Sequence, residues 1–194
     1  MDLGTGWQIE EFGRSHTGRA VAVLADGSEP KAMVYDTGSA AGHTTSQWWL
    51  YDGTLRAPLA THLRGACTCG WRGTSLHPVD WATLGERPYD VAPLGPQEDW
   101  FLHVRKIAAQ AVPVPDTVTV LLQQLDEQLS LFAEQTPAAA LRATAQLERL
   151  TDRIGAQAAH RISDSSTPWE AVAVSLGLTE LDARALVDAY RYGY

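Results

Sequence analysis

Cysteine is almost missing from this chain: two residues in 194, at positions 67 and 69. A multi-bridge disulfide scaffold is therefore excluded, and a mutual disulfide across one intervening residue would be strained. The thiols are expected to be free or on a metal, in a reducing cytoplasm. No apolar run approaches the roughly 20 residues that cross a bilayer. Met1-Asp2-Leu3-Gly4 is not a basic stretch followed by an apolar one, so neither a membrane span nor a secretory signal is expected. Positive charge is also short, with 15 Lys plus Arg against 23 Asp plus Glu and a net charge of −8. That balance argues against a mainly electrostatic nucleic-acid binder, while leaving room for a local basic face. No P-loop, dinucleotide glycine pattern, G-x-S-x-G or H-E-x-x-H occurs, and no repeat is visible. His43 ahead of Thr44, Thr45 and Ser46 is an ordinary loop composition, and no enzyme is expected. With 45% apolar and 20% charged residues, the chain is globular, with room for one domain or two small ones.

What is present divides the chain in two. Of 16 glycines, 13 lie at or before Gly95, and six of seven tryptophans lie at or before Trp100. The remainder is rich in Ala, Leu, Gln and Arg, all good helix formers. Residues 19–25 and 32–35 flank the turn signal Asp26-Gly27, and residues 47–51 end at Asp52-Gly53. A further extended segment is expected from Leu59 to Cys67. Short strands with glycine-rich turns point to a small antiparallel sheet or partial barrel. In a strand, Trp48 and Trp49 would point to opposite faces, one of them into the core. Residues 73–97, with Pro78, Pro88, Pro93 and Pro96, read as a long excursion.

Residues 98–111 put Trp100, His103, Val104, Ile107 and Ala111 on one helical face. Pro113 and Pro115 end that helix. Asp116 is placed to cap the next, which carries a stripe of Leu121, Leu122, Leu125, Leu129 and Phe132. Thr136 and Pro137 start another, with Leu141, Leu147, Leu150, Ile154 and Ala158, to about Ile162. Two long amphipathic helices across so short a connection predict an antiparallel hairpin. Its stripes need a covering surface, and a homodimer is expected to supply it.

The most specific string is Cys67-Thr68-Cys69-Gly70-Trp71-Arg72-Gly73. Two thiolates ahead of a glycine form a metal clip, because the glycine permits a tight turn that aims amides at the sulfurs. A structural zinc needs four ligands. Histidines 103, 77 and 62 are ranked in that order for the other places, with His43 last. His103 leads because an unpartnered imidazole on an apolar helical face is costly. His62 falls behind because strand parity turns it away from the cysteines, unless a bulge at Gly65 reverses it. The competing reading is a pair of buried thiols beside a hydrogen-bonded core histidine.

The run from Trp48 to His103, with WWLYDGT, LRGACTCGWRG, HPVDW and EDWFLH, resembles a group of actinobacterial proteins that combine a CxCGW segment with a later W-x-x-H. The resemblance implies a zinc knuckle with Cys67, Cys69 and His103 as ligands. It implies no activity.

Near the C-terminus, Thr167-Pro168-Trp169-Glu170 reads as a capping box. The helix it opens is expected to end at a turn on Gly177, and Thr179 to cap a second helix from Glu180 to about Arg191. The WxxxAxxLGL spacing resembles the helix-turn-helix of sigma-factor region 4. That resemblance implies DNA binding through the second helix, with Thr179, Glu180, Arg184 and Arg191 as the contacting positions. The charge pulls the other way: residues 163–194 hold two arginines against five acids, whereas DNA readers surround the reading helix with cations. Arg142, Arg149, Arg153 and Arg161 fall near one face of the preceding helix, interleaved with Glu148 and Asp152.

The sequence therefore predicts an α+β protein. Residues 1–112 form a zinc-stabilised β module ending in a helix, with metal ligands drawn from Cys67, Cys69, His103 and His77. Residues 113–194 form a helical domain, with a hairpin over 116–162 and a helix-turn-helix over 167–192. The expected function is DNA-linked regulation of transcription, and the alternative is a non-catalytic adaptor whose helix-turn-helix docks a protein.

Overall fold

The computed structural model describes residues 6–35 and 43–193. It is a mixed α and β structure that divides into two compact units, Met1–Ala108 and Ala109–Tyr194.

In the first unit, β1 (Gly18–Val23) pairs antiparallel with β4 (His62–Cys67), which pairs in turn with β5 (His77–Pro78). A separate ribbon joins β2 (Met33–Tyr35) to β3 (His43–Thr45). The β1–β4 register runs unbroken from Gly18 opposite Cys67 to Val23 opposite His62. There is consequently no bulge at Gly65. Its purpose is space: a Cβ there would meet the Pro96 carbonyl oxygen, and one on Gly18 would meet the Trp100 ring. These two glycines let α2 (Leu94–Ala108) lie close over this end of the sheet, burying Trp100 and Val104 against Cys67. At the other end of the same face, Ala20, Ala22 and Leu63 pack against Trp48, Tyr51 and Ala60.

Two β expectations are corrected. The Asp26-Gly27 turn forms, with the Gly27 amide donating to the Leu24 carbonyl at 2.9 Å, but it does not close a hairpin. The strand before it takes β4 as partner and the strand after it takes β3. Residues Trp48–Leu50 are a 3-10 turn rather than a strand. One helical turn lets both tryptophans face the same core: Trp48 is buried, and Trp49 packs beside it with the rings nearly perpendicular, 6.0 Å apart. The 73–97 excursion contains β5, the short helix α1 (Trp81–Leu84) and a 3-10 turn at Pro88–Asp90. Trp81 secures it by donating its indole N–H to the Ala60 carbonyl at 2.8 Å.

The second unit is helical. Helices α3 (Asp116–Gln135) and α4 (Pro137–Ser163) are separated by Thr136 alone. The Thr136 amide closes α3 on Phe132, and its carbonyl accepts from Ala139 and Ala140 to open α4. Helices α5 (Trp169–Leu176) and α6 (Glu180–Tyr192) follow, the first ending on Gly177 in the left-handed conformation. Gly155 of α4 receives the Tyr190 ring of α6. The buried apolar residues of this unit are few and small: Ala159, Val172, Ala173, Ala183 and Val187. None lies on α3, where Leu121 is 63% and Leu122 58% exposed.

The caps partly depart from expectation. Thr179 caps α6, accepting from the Asp182 amide at 3.1 Å. Asp116 and Thr167 are not caps; prolines 115 and 168 hold those places without a side-chain bond. Pro168 keeps an extended ψ of 141°, so α5 starts one residue late and the Thr167 hydroxyl is left outside the first turn.

Candidate metal centre

Four side chains converge at the end of the sheet under α2. The ligand atoms of His16, Cys67, Cys69 and His103 all lie within 4.8 Å of one another. His16 Nδ1 is 3.5 Å from Cys67 Sγ, and His103 Nε2 is 3.3 Å from Cys69 Sγ. A tetrahedron with Zn–S near 2.3 Å and Zn–N near 2.05 Å has edges of about 3.4–3.8 Å. The two sulfur–nitrogen separations are near the length of such edges, and the four residues could hold a metal ion together.

Local structure explains the placement. Cys67 ends β4, and Cys67-Thr68-Cys69-Gly70 is a tight turn closed by the Gly70 amide on the Cys67 carbonyl at 3.0 Å. Gly70 has φ of +93°, a backbone conformation that a side chain disfavours. The turn brings the second sulfur back beside the first, which an extended chain cannot do. His16 comes from the coiled segment before β1. Thr68, the residue between the cysteines, fastens that segment. Its hydroxyl donates to the Ser15 carbonyl at 2.9 Å and accepts from the Thr17 amide at 2.9 Å. His103 comes from the buried face of α2, and the Trp71 ring lies flat on it, 4.3 Å away with 6° between planes. Phe12 meets His16 edge-on at 5.3 Å.

Burial and charge favour a cation here. His16 and Cys67 are buried, while Cys69 and His103 are half-buried. The hydrogen bond shared with Cys69 pulls Cys67 far below the ordinary thiol range, with His16 acting in the same sense against burial. That bond, followed by burial, pushes Cys69 up. The pair thus keeps one proton near neutrality, which a divalent cation would displace. Burial lowers His103, keeping its imidazole neutral with a lone pair to donate.

The sequence reading named three of these four residues and missed His16. His77 is elsewhere: its Nε2 is 2.9 Å from Asp99 Oδ2, tying β5 to α2. His62 is half-buried, with Nδ1 3.0 Å from the Thr61 hydroxyl, and is not in the group. The His43 side chain lies outside the described residues.

The positions proposed to face DNA are engaged within the second unit. Thr179 also donates its hydroxyl to Asp182 Oδ2 at 2.7 Å. Glu180 holds Arg184 at 2.7 Å, and that guanidinium sits over the Trp169 ring at 4.6 Å. Arg191 lies over Tyr192 at 5.4 Å. No helix among the described residues is long and apolar enough to cross a membrane.

Compared with family models, curated proteins and solved structures, the chain matches none.

Proposed function

We propose that this protein is a non-catalytic cytoplasmic adaptor, whose first unit is held together by a structural zinc and whose second unit docks a macromolecular partner. The observation that carries the zinc is the convergence of two sulfurs and two imidazole nitrogens from three separate chain segments. Two Cys and two His are a common set for structural zinc, and four protein ligands leave no open position for a substrate. The CxCGW resemblance supports the same reading. Elemental analysis of purified protein tests it, with about one zinc per chain expected. Metal-free protein with the same thermal stability would end it.

For the second unit, a protein partner is the reading we favour. Its apolar residues on α3 stand in solvent, and Leu181 at the start of α6 is 77% exposed. A second copy of the chain, pairing through α3, is the simplest such partner. DNA binding is the second reading, favoured by the α5–Gly177–α6 arrangement and its Thr179 cap. In that reading the protein is a transcription regulator. Retention of genomic fragments at low salt separates the two readings.

A further inference from the structure

Trp100 has no exposed surface, and its indole Nε1 is a buried donor without a hydrogen-bond partner among the described residues. Buried N–H groups are rarely left so, and the exceptions call for an explanation such as an unfilled ion site. The register shows what lies beside this one. Gly18 and Cys67 are directly opposed across β1 and β4, so their side-chain directions share a face about 4.5–5.5 Å apart. The atoms that a Gly18 Cβ would strike are Cγ, Cδ2 and Cε2 of Trp100. The five-membered half of the indole therefore occupies the place of the missing side chain. Cε2 is bonded to Nε1, which puts the N–H in the neighbourhood of Cys67.

We infer that Trp100 is a positioning residue for the metal centre, its indole N–H donating to the Cys67 sulfur when that sulfur is a metal-bound thiolate. This rests on the metal reading above. A thiolate accepts a hydrogen bond more strongly than a thiol, and a bound metal fixes Cys67 in the thiolate form. Trp100 also contributes to holding Cys67 below the ordinary thiol range, after the larger effects of Cys69 and His16. The Trp71 amide does the same for Cys69. Each sulfur would be served by the backbone N–H two residues on, Cys67 by Cys69 and Cys69 by Trp71, and Cys67 in addition by a side chain from α2. Donors of this kind orient metal ligands, and their loss typically costs about 10- to 100-fold in metal affinity.

The test separates the N–H from the bulk of the ring. In the full-length protein, Trp100 is replaced by β-(3-benzothienyl)alanine, an isostere with sulfur in place of the N–H, and in a second variant by Phe. Zinc affinity is measured by chelator competition, and the thiolate-to-metal charge-transfer band by cobalt(II) substitution. The isostere is expected to bind zinc about tenfold more weakly and to move the cobalt band to lower energy, because an unbonded thiolate releases charge more readily. An isostere with wild-type affinity and band would overturn the inference, even if W100F is impaired, since Trp100 would then act by packing alone. Wild type that binds neither zinc nor cobalt would overturn the metal reading together with this inference.

Discussion

His16 Nδ1 and Cys67 Sγ, 51 positions apart in sequence, stand 3.5 Å from one another in the interior of the first unit. A ligand brought from so far would make a bound metal a cross-link between the segment before β1 and the β4 turn, with His103 adding α2. His16→Ala should therefore reduce zinc affinity as severely as Cys69→Ser, and the first unit should melt at a lower temperature. His77→Ala should leave zinc content unchanged, because His77 serves Asp99 instead. That pair is partly exposed, so its loss should cost no more than about 1 kcal/mol. Chelator competition and thermal melts on the three variants check this; a His16→Ala protein that retains tight zinc would remove His16 from the site.

Three of the four site residues were legible in the sequence for chemical reasons. Cys67 and Cys69 sit together ahead of a glycine, and His103 is a polar residue on an apolar stripe. His16 was not legible, because its segment has neither helical nor strand periodicity. What brings it to the site is the pairing of Gly18 with Cys67, a long-range register that no local pattern displays. His77 was misread for a related reason. Its carboxylate partner, Asp99, lies 22 positions away on α2. The long helices were read nearly to their ends, since their stripes repeat over many turns. The 3-10 turn at Trp48–Leu50 was not, because two adjacent tryptophans fit a strand equally well until one core claims both.

Thr68 makes the same cross-link without a metal, through its bonds to Ser15 and Thr17. Thr68→Val keeps the shape and removes both bonds. Each neutral bond is worth about 1 kcal/mol net, so the melting temperature should fall by several degrees. Zinc affinity should fall with it, because the His16 segment would no longer be held in place. Thr68→Ser should restore both. A Val variant with unaltered zinc affinity would show that the segment is positioned by other contacts.

Zinc affinity should weaken on acidification, with a slope that reports how many protons the ligands hold. Cys67 is held low by Cys69, so near neutrality only one of the two thiols carries a proton. Binding then displaces about one proton, and affinity should fall about tenfold per pH unit. The slope should steepen only in more acidic solution, when the His103 imidazole protonates. Burial lowers the His103 value, so its proton competes below the usual histidine range. The group is neutral above its folded value, and the metal site loses it as pH falls through that value. A slope near two between pH 7 and 8, read by competition titration, would mean that both thiols are protonated.

The last prediction decides what the helical unit does. A DNA-reading α6 needs Arg184 and Arg191 free for phosphate or base, yet Arg184 is held by Glu180 and Trp169, and Arg191 lies over Tyr192. Exchanging these contacts for phosphate would be opposed by Glu180, Asp182 and Asp188 on the same helix. Replacing both arginines with alanine should therefore leave the function of the unit intact, apart from a small loss of helix stability. The apolar residues of α3 should matter far more. Leu121 and Leu122 are 63% and 58% exposed, so Leu121→Glu with Leu122→Glu should be tolerated in the folded monomer. Covered by a second copy, the exposed part of each leucine would contribute roughly 1–2 kcal/mol, and two glutamates at such a seam should abolish pairing. Sedimentation at about 50 µM should show wild type and the arginine variant as dimers, and the glutamate variant as a folded monomer by circular dichroism. Wild type that stays monomeric throughout would reject pairing through α3. If wild type also retains genomic fragments at low salt and loses them in the arginine variant, α6 reads DNA and the adaptor reading gives way.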